Sequence, residues 1–188
     1  MHPALNLFLK LSPFNPQAGY YYIQSISSGV GTWVDVPANT LIACYYPVYR
    51  KIRFDRIAIL QPGAGAAGAR FRLGVYSDDS FRPSSLILDA GEVDATTTGF
   101  REVTIDLTLS RGEYWLVYLS NDSAIDIGFQ DPHLGILGVL PTEYGTGPVL
   151  QYRATQTYGP LPATFPAGGY TGDHPQLWLM LRVAAVLE

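Results

Sequence analysis

The chain of 188 residues has one cysteine, three histidines and fewer basic than acidic side chains, 12 Lys and Arg against 16 Asp and Glu. A single cysteine, Cys44, excludes an intrachain disulfide and a cysteine-based metal cage. Within LIACYYP it is expected as a small buried hydrophobe. The net charge of −4 lacks the basic field by which duplex-binding proteins are recognised, so nucleic acid is not an expected partner. No apolar run reaches membrane-spanning length, and membrane insertion is not expected either. The opening MHPALNLFLKLSP has no basic leader and is interrupted by Lys10, which argues against a secretory signal. No stretch longer than two turns keeps a capped 3.6-residue period, so helix content should be low.

What is present has a period of two. In FREVTIDLTL the inward set is Val103, Ile105, Leu107 and Leu109, with Glu102, Thr104, Asp106 and Thr108 opposite. RFRLGVY turns Phe71, Leu73 and Val75 inward and Arg70 and Arg72 outward, and IDIGFQ repeats the pattern with Ile125, Ile127 and Phe129. In KIRFDRIAIL the inward phase passes from Ile52 and Phe54 to Ile57 and Ile59 across Asp55–Arg56, as one extra residue in a β-bulge would produce. EYWLVYLS is apolar on both faces, with Trp115, Val117 and Leu119 against Tyr114, Leu116 and Tyr118, so it belongs in the middle of a sandwich or beneath a long loop. LWLMLRV sends Leu179, Leu181 and Val183 inward, and Trp178 and Met180 toward a loop or another subunit. Turn-forming stretches such as QPGAGAAGA, SDDSFRPSS and TTTG separate these runs. The expected fold is all-β, an antiparallel jelly-roll β-sandwich of roughly eight to ten strands. The division expected is a docking segment at 1–19 and the sandwich domain at 20–188.

Charge is scarce in one region. Residues 50–131 carry 21 charged side chains, whereas 132–175 carry only Glu143, Arg153 and Asp173 together with seven of the 14 prolines. Within it, ATQTYGPLPATFPAGGYTGDHP (154–175) holds Tyr158, Phe165 and Tyr170 among four prolines and four glycines. A free surface loop is usually more polar. This one is expected to lie as a long loop over one face of the sandwich, packed at a subunit interface, its prolines lowering the entropy lost on ordering. Leu5, Leu7, Leu9 and Leu11, with Phe8 among the residues between them, suit either a strand that docks on a partner's sheet edge or the first strand of the sandwich.

Signals of chemistry are weak. There is no G-x-S-x-G elbow to seat a nucleophile, so no catalytic residue is assigned. Asp131 with His133, and Asp173 with His174, carry metal-ligand chemistry but read better as surface residues. Asp78, Asp79, Asp89 and Asp94 read as turn formers rather than calcium ligands. PGAGAAGA lacks the Lys-Ser/Thr of a phosphate loop. No metal or cofactor is expected. Aromatics remain: Tyr144, Tyr152, Tyr158, Tyr170 and Trp178 are the candidates for stacking on sugar rings or for packing at an interface. The basic run Arg50, Lys51, Arg53, Arg56 reads as a solvated strand face, with an anionic-glycan surface as the lesser alternative.

FDRIAI, RFRLGVYSDDSFRPSSLILDAGEVDATTTG and LTLSRGEYWLVYLS together resemble a jelly-roll domain of structural proteins in tailed bacteriophages, over roughly residues 52–130. TYGPLPATFP and PQLWLMLRV resemble it more weakly, over 152–183. The resemblance implies a virion component assembled in the bacterial cytoplasm, a fibre, head-spike or tail attachment protein. It further implies a homotrimer that touches other virion proteins and host-surface polysaccharide. The long fibrous shaft of large fibres is not seen here, which keeps open a capsid decoration or connector subunit without host ligand. A carbohydrate-binding module or carbohydrate-active enzyme is the alternative from another class.

Overall fold

The computed structural model describes residues 15–23, 34–130, 151–170 and 176–187, and among them there is no helix. Eight strands have five or more residues: β3 (Thr40–Val48), β4 (Lys51–Gln61), β5 (Arg70–Asp78), β6 (Pro83–Asp94), β7 (Gly99–Leu109), β8 (Gly112–Ser120), β11 (Gln151–Thr155) and β14 (Leu179–Leu187). Six short ones complete the set: β1 (Tyr21–Ile23), β2 (Val34–Asp35), β9 (Asp126–Ile127), β10 (Phe129–Gln130), β12 (Gly169–Tyr170) and β13 (Gln176–Leu177).

The long strands form two antiparallel sheets, one in the order β1-β14-β4-β7 and one in the order β12-β11-β3-β8-β5-β6. The pairing is nested. β5 pairs with β6, β4 with β7, β3 with β8 and β1 with β14, as if one long hairpin had been wrapped round a core. β2 with β9 and β10 with β13 are two-residue ladders beside it.

The two-residue alternation decides what fills the space between the sheets. Ile42, Cys44, Phe71, Leu73, Val75, Leu116 and Tyr118 from one sheet meet Phe54, Ile57, Ile59, Leu107, Leu179, Leu181 and Val183 from the other. Cys44 is fully buried there, as expected. The phase change in β4 is a bulge: register with β7 shifts between Phe54 and Arg56, and register of β14 with β4 shifts beside Arg182. The extra residue, Asp55, is turned outward and takes a two-pronged ion pair from Arg182, Nε to Oδ1 at 2.8 Å and Nη2 to Oδ2 at 2.7 Å.

The larger sheet also has an apolar outer face. Leu41, Ala43, Tyr45, Tyr76, Trp115, Val117, Leu119, Tyr152 and Ala154 would lie in water there, but Leu161 and Phe165 cover them. These two belong to the uncharged proline-rich segment, which crosses the sheet as a strap. It leaves β11 at one side, and at the far side 163–165 bond to β6: Leu86 N donates to Ala163 O at 2.9 Å and Phe165 N to Ser84 O at 2.7 Å. It then returns to β12, which pairs with β11. Four inter-strand steps separate β11 from β6, roughly 19 Å. Residues 156–164 can span about 30 Å when extended, so the segment reaches β6 with slack and bends on the way at 158–160 and 163. β8, apolar on both faces, lies centrally and beneath this strap, and its sequence is explained by the position.

Gly74 is where strap and sheet come closest. A Cβ there would stand 2.3 Å from Leu161 Cδ1 and 2.5 Å from the Leu88 carbonyl oxygen. Gly74→Ala should therefore cost about 1–3 kcal/mol in urea unfolding, because the strap or β6 must move. Leu161→Ala should cost about 2–5 kcal/mol on its own, and the double variant less than the sum, since one of the two clashes disappears. Additive costs would show that Leu161 does not press on β5.

Candidate functional site

The aromatic residues expected to carry a site are not gathered into one surface. Tyr152 is buried beneath the strap, edge-on to Phe165 at 5.8 Å, and its hydroxyl donates to Gly168 O at 2.8 Å. Tyr158 lies on the strap, half-buried, its hydroxyl donating to Glu92 Oε2 at 2.9 Å; burial first, then the Glu92 carboxylate, push its phenol up. Tyr170 pairs with Tyr152 through the backbone of β12. Trp178 stands between β13 and β14, half-buried beside the buried Leu177 and Leu179, with Nε1 enclosed and unbonded among the described residues. Tyr144, the docking candidates Leu5, Leu7, Phe8, Leu9 and Leu11, and the pairs Asp131–His133 and Asp173–His174 lie outside the described residues. Residues 15–19 of the lead are tied to the sandwich: Pro16 is buried and Gly19 N donates to Val183 O at 2.7 Å.

The aspartates do the work of turns and joints. Trp115 Nε1 donates to Asp78 Oδ1 at 2.7 Å, and Phe81 N to its other oxygen at 3.0 Å, closing a turn in which Ser80 and Phe81 have positive φ. Phe81 then covers Tyr45, with ring centroids 4.9 Å apart. Asp89 accepts from Arg72 Nη1 at 2.9 Å, from Gly91 N at 2.9 Å and from Leu161 N at 3.0 Å, so one carboxylate joins β5, the β6 turn and the strap. No group of three or more metal-ligating side chains occurs among the described residues.

The surface with the most unspent chemistry is the outward face of the four-stranded sheet. Tyr21 on β1 reaches across β14 and β4 to bond Glu102 on β7, and its ring meets Phe100 edge-on at 5.1 Å. Arg182 lies over the Tyr21 ring at 5.9 Å. Burial and the Glu102 carboxylate push the Tyr21 phenol up to about 12. Glu102 also faces Arg56 Nε at 3.6 Å, and Arg56 and Arg182 both meet Asp55. Ala58, on the same face, is fully buried, whereas Phe100 keeps 47% of its surface exposed. The sequence places Arg53, Arg56 and Glu102 on outward strand faces but does not show that Tyr21, Phe100 and Arg182 join them. The Tyr20–Tyr22 run and the alternation around Glu102 were the available signals, and the 81-residue separation of Tyr21 from Glu102 hid their union.

No protein-family model matches the chain, and no curated protein matches it.

Acid stability tests the turn network. The Thr96 hydroxyl and N–H, and then Arg70, hold the Asp94 carboxyl down to about 2, against 3.8 for the free group. A folded-state value below the unfolded one means that Asp94 stabilises in full above about pH 4, and that this contribution fades as pH falls toward 2. Asp94→Asn should lower the thermal midpoint at neutral pH and shrink the difference from the parent between about pH 4 and 2. A difference independent of pH would show that the charge of Asp94 is not what matters.

Proposed function

We propose that this chain is a non-enzymatic structural subunit of a phage or phage-like particle, an attachment protein of fibre, head-spike or tail type that meets host-surface glycans. The observation that carries the reading is that the segments resembling phage structural domains act together as one construction. Gly74 of RLGVY receives Leu161 of TYGPLPATFP. Asp89 of DAGEVD holds the Leu161 N–H. Tyr76 of RLGVY donates to Pro162 O at 2.6 Å. Trp115 of the EYWL strand is bonded to Asp78 of the aspartate-rich turn. A resemblance made of unrelated short matches would not be expected to close on itself in this way. The nested pairing, 5 with 6, 4 with 7, 3 with 8 and 1 with 14, supports the jelly-roll form of the sandwich.

In this reading residues 1–19 dock the sandwich on other virion proteins, and the chain works as a homotrimer. An antibody raised against the purified chain should label particles banded from the source culture, and light scattering should return three chain masses. Antigen confined to the soluble fraction would overturn the particle assignment. Labelled particles combined with no binding to any host polysaccharide would favour a decoration or connector subunit. Cleavage of host polysaccharide, abolished by a single Asp or Glu substitution, would favour a carbohydrate-active enzyme instead.

A further inference from the structure

We infer that the outward face of the four-stranded sheet is a binding platform for an uncharged glycan, with Phe100 and Tyr21 as its stacking surface and Glu102, Arg56, Asp55 and Arg182 as its polar frame. The inference deepens the attachment reading and rests on it for the source of the sugar.

Three features of the face select this ligand class. Phe100 stands 47% exposed on an edge strand, held upright by the edge of Tyr21. A half-exposed aromatic ring in a fixed position offers the flat apolar surface that the C–H side of a pyranose ring covers, and little entropy is lost in ordering it.

The polar groups hold one another. Arg182 meets Asp55 through two nitrogens, Arg56 meets both Asp55 and Glu102, and Glu102 accepts from Tyr21. A guanidinium has five N–H donors and a carboxylate about four acceptor positions. These contacts leave donors and acceptors unspent on groups that are already oriented. Sugar hydroxyls, each both donor and acceptor, fit such a mixed array.

The charges cancel. Arg56 and Arg182 stand against Asp55 and Glu102, two cations to two carboxylates. An acidic polysaccharide would find each cation already neutralised by a carboxylate that repels it. An uncharged one meets no such penalty. The strap side of the molecule offers no comparable surface, because Tyr152, Tyr76 and Trp115 are covered by Leu161, Phe165 and Phe81.

The test uses the full chain on an array of uncharged and acidic bacterial polysaccharides, followed by titration of the ones that bind. Uncharged glycans should bind, and binding should persist in about 0.5 M sodium chloride, where exposed charge–charge attraction is screened within a few ångströms. Phe100→Ala should weaken binding about tenfold or more, equivalent to about 1.4 kcal/mol, while the chain stays folded and its thermal midpoint falls only by the loss of the edge contact with Tyr21. Glu102→Gln should weaken it while leaving the sheet folded. Binding that survives Phe100→Ala, or that is confined to acidic glycans and lost in salt, overturns the platform while leaving the attachment reading in place. Absence of binding to every glycan overturns the platform, and antibody labelling of particles then decides the attachment reading separately.

Discussion

A sheet that is apolar on both faces is stable in water only when both faces are covered, and the six-stranded sheet of this protein is apolar on both. One face is covered by the second sheet, the other by a single strap. Burying Leu161 and Phe165 contributes about 1.5–3 kcal/mol each, but the strap also hides Tyr76 and Tyr152, which could not remain in contact with water. Much of what is unusual in the chain follows from that requirement. The strap has to be uncharged where it touches the sheet, long enough to reach the far strand, and able to bond to that strand on arrival.

The joints of the strap are polar and few. Asp89 receives the Leu161 N–H while holding Arg72, Asn39 receives the Tyr158 N–H through its side chain and the Gln156 N–H through its carbonyl, and β6 takes 163–165 as a short added strand. Each joint satisfies backbone groups that a proline-rich segment cannot satisfy within itself. The contact with β6 also occupies part of an edge that would otherwise be open to pairing. Asp89, one of the aspartates weighed as a calcium ligand in the sequence, is consumed by this work.

The two outer faces of the sandwich are therefore unlike. The strapped face is closed and its aromatics are structural. The opposite face keeps an exposed phenylalanine beside a neutral lattice of ion pairs, and it is this contrast that directs attention to Phe100 and Tyr21 rather than to the tyrosines of the proline-rich region.

Strands β4, β5, β7, β8 and β14, their inward residues and even the bulge at Asp55 were legible in the sequence, because the side-chain period of a strand is two and a half-buried strand must alternate. β3, β6 and β11 were not legible as strands. The doubly apolar run at 113–120 announced a covered central strand for the same reason. The scarcity of charge in 154–175 announced a segment lying against protein. None of these signals extends beyond its own stretch of chain. That Leu161 rests on Gly74, that Asp89 bonds across 72 positions, and that Tyr21 meets Glu102 and Phe100 depend on which strands become neighbours and in what register. Those are long-range choices, made by the packing of the whole core, and only the tertiary structure decided them.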